Sequence, residues 1–356
     1  MKNLIIIGNG FDKAHKLETS YNEFIKDLFV KYFSNPDAYP GIISSHATTI
    51  NDFETILESL RKYYKSGFVE VSDKNPFHYS PNDMTTLRFK NRFIELLLIN
   101  MVDYNWCDVE SMYFKELMRY NDSPHNPKEL NDDFDVVKEY LSKYLLDEEK
   151  KAVKIDNYEH FFRSVATHPY FTLILNFNYT RTIENLYADV IECPIMHIHG
   201  EIENTNNPII FGYAANHEDS RKLLSHDNKD EYVKNIKKYL YKRTDNESKL
   251  HEFLGKVDEN SRGDQKINIF LLGHSCGLSD SLILNEIFNH KTIDSIKIFY
   301  HDDFNNYSHV QTSIDRIMNN DAGFKNLIVN FQETYRMPQW NDNKLQIQDF
   351  TKTLIF

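Results

Sequence analysis

The sequence predicts an α/β fold, a Rossmann-like, mainly parallel sheet carrying a large all-helical insertion. Three observations lead there. Leu4 to Ile7 is a continuous apolar, β-branched-rich run ending in Gly8, the pattern of a strand buried on both faces. From about residue 45 to 167 helical spacing dominates and little reads as strand. Beyond that region, apolar strand-like runs alternate again with helical segments, which implies parallel strands joined by crossovers.

The elements follow in order. After the first strand, Thr19 and Ser20 offer an N-cap for an amphipathic helix over Tyr21 to Tyr32, with Phe24, Ile25, Leu28 and Phe29 on one side. Segments 51–65, 82–103, 108–120, 130–146 and 157–166 then carry the helical period. Asn75-Pro76, Ser80-Pro81, Ser123-Pro124 and Asn126-Pro127 break it. Strands are expected at Phe171 to Asn176, Pro194 to His199 and Pro208 to Phe211. A polar, Lys-rich helical stretch, about 217–254, precedes a strand at Ile267 to Leu272. Helix Ser281 to Asn289, strand Ser295 to Tyr300, helix Phe304 to Met318 and a last strand Leu327 to Phe331 complete the alternation. The 356 residues therefore read as one interrupted α/β domain, 1–45 plus 168–335, with a helical insertion over 46–167 and a tail over 336–356.

Composition bounds the function. Hydrophobic residues at 41% and charged residues at 26% exclude wholesale disorder, and 22 Tyr, 25 Phe and 2 Trp are ample for a large core. A net charge of −12 without a Lys/Arg block disfavours nucleic acid as the main ligand. The richest basic stretch holds Lys234, Lys237, Lys238, Lys242 and Arg243, but Asp230, Glu231, Asp245 and Glu247 flank it. It reads as a solvated helix face, with RNA contact the minority option. Cys107, Cys193 and Cys276 are scattered, neither a disulfide framework nor a zinc site, which fits a reducing cytosol. The N-terminal apolar run is too short for a signal peptide, and Ile94 to Val102 is too short to span a bilayer. A soluble, cytoplasmic protein without membrane contact is expected.

Four motifs bear on chemistry. Gly8-Asn9-Gly10-Phe11-Asp12 follows the first strand, where glycines let a phosphate or ribose approach the backbone. Lys13 stands where GxGxxG needs its third glycine, so a plain tight turn is an equal reading. Asn176-Phe177-Asn178-Tyr179-Thr180 ends another strand, with Asn176 and Asn178 on one face. Turn chemistry, with Thr180 capping a helix from Arg181, is the bland alternative. In His197-Ile198-His199-Gly200 two His are too few for a metal, and no metal site is expected. One His reads as buried, while His199 at the strand end suits acid/base work. Gly273-His274-Ser275-Cys276-Gly277-Leu278-Ser279-Asp280 matches GxSxG, the nucleophile elbow, with Asp302 and His309 available as partners. Ser279/Asp280 look like the helix N-cap, too late for an elbow, so a serine hydrolase is the least favoured reading.

Together and in this order, GNGFD, NFNYT, HIHG and GHSCGLSD resemble the AbiH family of bacterial abortive-infection proteins. Asn105-Trp106-Cys107-Asp108-Val109-Glu110 and Tyr300-His301-Asp302 also resemble family segments, and the likeness runs from residue 2 to about 330. AbiH proteins are in turn similar to the sirtuin-like nucleotide-binding fold, including NAD-cleaving domains of other anti-phage systems. That resemblance implies a glycine turn at Gly8 and Gly10, a catalytic Asn at Asn178 and a catalytic His at His199. It places Asn9, Phe11, Asn176, Gly273, His274, Ser275 and Asp280 around a bound nucleotide. Asp12 would hold a ribose hydroxyl or stabilise positive charge, unless it only caps the first helix. Asn9 and Phe11-Asp12 depart from the sirtuin pattern, as does Thr180, so a nucleotide site carries over more safely than NAD cleavage. The zinc-binding Cys tetrad of deacetylases is missing.

The implied function is an anti-phage effector that cleaves the nicotinamide–ribose bond of NAD, with NAD or a related nucleotide as substrate and no prosthetic group. A phage-derived trigger and a homo-oligomer are compatible with it. A non-catalytic nucleotide sensor and a nuclease or RNA-directed toxin are the alternatives. Trp106 reads as core, and Glu110 as a helix-surface residue or a carboxylate reaching the site from the insert.

Overall fold

The computed structural model describes residues 1–39, 43–46, 87–104, 109–120, 127–166, 168–215, 217–225, 229–255, 266–318 and 324–341. The helix expected over 51–65, the Pro-marked breaks at 75–81 and 123–126, Asn105 to Asp108, and the tail from 342 lie outside these residues. The chain divides into two compact units: Met1–Thr19, Leu145–Ala215 and Ile236–Phe356 in the first, Ser20–Tyr144 and Asn216–Asn235 in the second.

Among the described residues seven strands are numbered: β1 (Lys2–Ile7), β2 (Ile43–His46), β3 (Leu87–Phe89), β4 (Thr172–Asn176), β5 (Ile195–His197), β6 (Ile267–Leu272) and β7 (Ile293–Phe299). Five of them build the sheet of the first unit, all parallel, in the order β5-β4-β1-β6-β7. Counted within that sheet the order is 3-2-1-4-5, the doubly wound order whose direction reverses at the first strand. The α/β, Rossmann-like expectation holds.

Period-2 geometry sends alternate residues to opposite faces. Leu4 and Ile6 pack with Leu173, Leu175, Ile269 and Leu271 on one side. Ile5 and Ile7 pack with Ile174, Phe270, Leu272 and Phe299 on the other. Both faces are covered, which is why these strands read as unbroken apolar runs. Helix Ser281–Phe288 brings Ile283, Leu284, Ile287 and Phe288 to the first face. Helix Asp156–Val165 brings Tyr158, Phe161, Phe162 and Val165, at i, i+3, i+4 and i+7, to the second.

Two expected strands are not formed. At Pro208 to Phe211 the chain stays irregular, and Ile210 donates its N–H to the His199 carbonyl at 2.7 Å. At Leu327 to Phe331, helix Phe324–Leu327 gives way to a single bridge, Ile296 with Ile328, before a 3-10 turn at Phe331–Glu333. In both places the apolar residues pack without a ladder. Part of the expected tail is strapped to the first unit. Met337 donates to the Tyr300 carbonyl at 2.7 Å, and Trp340 to the Ala14 carbonyl at 2.8 Å.

The second unit is mainly helical. Helix Tyr21–Ser34 starts at the expected cap, where Ser20 and Glu23 form a capping box. Arg92–Tyr104, Val109–Tyr120 and most of Pro127–Glu149 follow, the last with Pro in its first turn. The antiparallel pair β2–β3 completes this unit with His217–Leu224 and Lys229–Val233. No described helix is long and apolar enough to cross a membrane.

Candidate functional site

Ligands of open α/β sheets bind beyond the carboxyl ends of the strands, where the strand order reverses. Here that position lies at the ends of β1 and β6, whose last residues Ile7 and Leu272 are register partners. The turns leaving these strands meet backbone to backbone. Gly8 donates to the Leu272 carbonyl at 3.1 Å and Gly10 to the Gly273 carbonyl at 2.8 Å. A Cβ on Gly10 would lie 2.7 Å from the Gly273 Cα, and one on Gly8 would lie 2.7 Å from the His274 Cα. Gly273 has φ +68°, a conformation natural to glycine. The close approach signalled by these glycines is thus turn against turn. Phe11 is buried against His15 and Tyr158, in the core rather than toward the turn surface.

The asparagines of the β4 end lock their own loop. Asn178 donates its N–H to Asn176 Oδ1 at 2.9 Å, and its side-chain amide to the Gly8 carbonyl at 3.1 Å. Thr180 does not cap a helix. Its hydroxyl donates to Asp12 Oδ2 at 2.6 Å, and helix Thr182–Tyr187 starts without a side-chain cap. Asn9 faces outward and accepts a hydrogen bond from the Thr19 hydroxyl.

Asp280 is the centre of the first side-chain cluster. It occupies the N-cap position of helix Ser281–Phe288, as its sequence context suggests, yet its side chain caps nothing. Oδ1 faces Lys237 Nζ at 2.9 Å and His199 Nε2 at 3.3 Å, and Oδ2 faces His274 Nε2 at 3.3 Å. His274 Nδ1 accepts the Cys276 N–H at 3.0 Å, so the neutral ring carries its proton on Nε2, toward the carboxylate. His199 Nε2 also lies 3.0 Å from the Tyr241 hydroxyl. Burial opposes ionisation of Asp280, but Lys237, then His199 and His274, outweigh it and hold the carboxyl well below the usual range. Burial and then Lys237 push the His199 imidazole down to about 3, so it is neutral at physiological pH.

A second group gathers around Asp12. This carboxyl is buried, with Oδ1 unpartnered, and burial pushes it up to about 6 against the bonds from Thr180 and Thr182. His197 contacts the Asn178 carbonyl at 3.0 Å and Glu184 Oε1 at 2.7 Å. Burial disfavours its charge, but Glu184 outweighs burial and raises it above its ordinary value. The predicted catalytic residues are therefore divided. His199 joins His274 and Asp280, whereas Asp12 and Asn178 lie with the glycine turn and the loop after β4.

The GxSxG reading fails on geometry. Ser275 is exposed, and no hydrogen bond joins it to Asp302 or His309, which are both exposed. Cys276, in the left-handed region at φ 54°, is buried, and burial pushes its thiol up. Among the described residues no group of three or more His, Cys, Asp and Glu is disposed to hold a metal ion.

Two site residues were missed from sequence, and both lie in the basic stretch read as a solvated face. That stretch is not one surface. Lys234 pairs with Asp135 in the second unit, and Lys242 pairs with Glu247 at the surface of the first. Lys237 is buried with its ammonium on Asp280, and Tyr241 is buried with its hydroxyl on His199. A signal existed: Ile236, Lys237, Leu240 and Tyr241 share one helical stripe, and all are buried. Glu110 is buried within the second unit rather than on a helix surface.

A family model described as Bacteriophage abortive infection AbiH matches residues 4–302. No curated protein matches the chain. No solved structure matches it either.

Proposed function

This chain belongs to the AbiH family of bacteriophage abortive-infection proteins, and we propose that it acts there by binding a nucleotide such as NAD beyond β1 and β6 and cleaving its nicotinamide–ribose bond. The role in abortive infection follows from the family. The observation that supports the chemistry is the Lys237–Asp280–His199–His274 cluster at the switch point of the sheet. Buried charge of this kind costs several kcal/mol in desolvation, roughly, and is a weak source of stability, so a functional use is the better account.

In the proposed reaction, the bond from the ribose anomeric carbon to the pyridinium nitrogen breaks and its electron pair leaves with nicotinamide. A water oxygen bonds to that carbon, passing through an oxocarbenium-like state. The proton lost by the water goes to the neutral imidazole of His199, and Asp280 holds that ring in orientation. A phage-derived factor is the proposed trigger, and nucleic acid is not a proposed ligand.

One observation favours a second reading, a nucleotide sensor without catalysis. The Asn178 amide, the implied catalytic group, donates to the Gly8 carbonyl and so holds the glycine turn. Phage challenge of cells carrying wild type or His199→Ala, with cellular NAD followed through infection, separates the two. NAD should fall with wild type and hold with His199→Ala. Protection that persists in both while NAD holds would leave the sensor.

A further inference from the structure

Lys237 is 1% exposed in its side chain, whereas Lys242, in the same basic stretch, is 71% exposed. Its ammonium meets Asp280 Oδ1 at 2.9 Å, the same oxygen that His199 Nε2 approaches at 3.3 Å. One carboxylate oxygen thus faces two groups able to carry a positive charge. Two cations on one oxygen repel, and burial removes the water that would screen them. An amine binds a proton more tightly than an imidazole by about four pH units, so the charge settles on the lysine. The other groups facing His199 are His274, the Phe177 backbone, which hydrogen-bonds the ring, the Tyr241 hydroxyl at 3.0 Å, and the Phe177 and Tyr179 rings with centroids at 5.1 and 6.2 Å.

We infer that Lys237 is a positioning residue: it claims the Asp280 carboxylate for its own ammonium and so, together with burial, keeps His199 an uncharged imidazole. What that ring is used for rests on the nucleotide-cleaving reading. The assignment of charge does not. It also gives the one inward-facing lysine of the basic stretch a task distinct from packing. A packing role alone needs a long side chain and no charge.

The test is a histidine NMR titration of the full-length protein with labelled imidazole carbons, His199 being identified by its lost signal in His199→Gln. In wild type, His199 should stay neutral through the acid range, its midpoint near 3. In Lys237→Met burial still holds the ring down, but Asp280 is no longer opposed by the ammonium, so the midpoint should rise clearly above the wild-type value. Lys237→Arg keeps the charge and should restore the wild-type curve. Lys237→Gln still donates to Asp280 without charge and serves if the Met variant does not fold. A His199 midpoint that does not rise in a folded neutral variant overturns the inference, as does an ordinary midpoint near 6.5 in wild type. The readout needs no nucleotide, so absent NAD cleavage leaves it intact. An unchanged titration would remove the role of Lys237 and leave the cleavage reading standing.

Discussion

Gly10 donates its N–H to the carbonyl of Gly273 at 2.8 Å, and each glycine occupies the space a Cβ on the other would need. This contact joins the turn after β1 to the turn after β6 and fixes the floor of the candidate site. Gly10→Ala or Gly273→Ala forces backbone against backbone, with the second also strained at φ +68°. Each should cost about 3 kcal/mol, read as a lowered midpoint in chemical denaturation. Loss of function on Gly10 replacement then reports the fold before it reports nucleotide binding.

Asp280→Asn removes the carboxylate that faces the buried Lys237 ammonium. The variant should lose about 3 kcal/mol of stability, again by denaturant unfolding. Removing both charges with Asp280→Asn and Lys237→Met should restore part of that loss, because no orphan charge remains. A loss in the double variant equal to the sum of the two single losses would show that the pair is not coupled.

Asp12 gives a pH signature of its own. Its folded-state value of about 6 lies above the ordinary 3.8, so the native state binds the proton more tightly. Its contribution is fully present below about pH 4 and is lost as pH rises through 6. Asp12→Asn should therefore gain stability relative to wild type between pH 4 and 7, by on the order of 2 kcal/mol at the upper end. His15 and His199 act in the opposite sense, since their folded values of about 4 and about 3 lie below 6.5. Stability from these two is lost as pH falls below 6.5, so the variant-minus-wild-type difference is the quantity to measure.

Ser275 should not react with a fluorophosphonate probe. Activation of a serine needs a base at hydrogen-bond distance, and the adjacent His274 has Nδ1 committed to the Cys276 N–H and Nε2 to Asp280. A covalent adduct on Ser275 in intact-mass analysis would revive the hydrolase reading.

Much of the fold is legible in particular residues. The run Leu4 to Ile7, the Ser20 cap and the stripe at Tyr158, Phe161, Phe162 and Val165 all say locally what they form globally. The site is less legible. GNGFD says that something comes close to the backbone after β1, but only the tertiary fold reveals that Gly273 and His274 do so. Asn178 and Thr180 look available in sequence because their partners, Gly8 and Asp12, are distant in the chain. Lys237 was hidden by its lysine-rich neighbours, since charge runs are usually solvated. Its place on the apolar stripe with Ile236, Leu240 and Tyr241 was the contrary sign.

The proposed reaction, in which His199 oriented by Asp280 takes the proton from water as a nucleotide is cleaved, is measured most directly by nicotinamide release from NAD by purified protein, with and without phage lysate. Wild type should release nicotinamide in at least the lysate condition, and a folded His199→Gln should lose about 100-fold or more of that rate. No release by wild type in either condition, or undiminished release by His199→Gln, would contradict it.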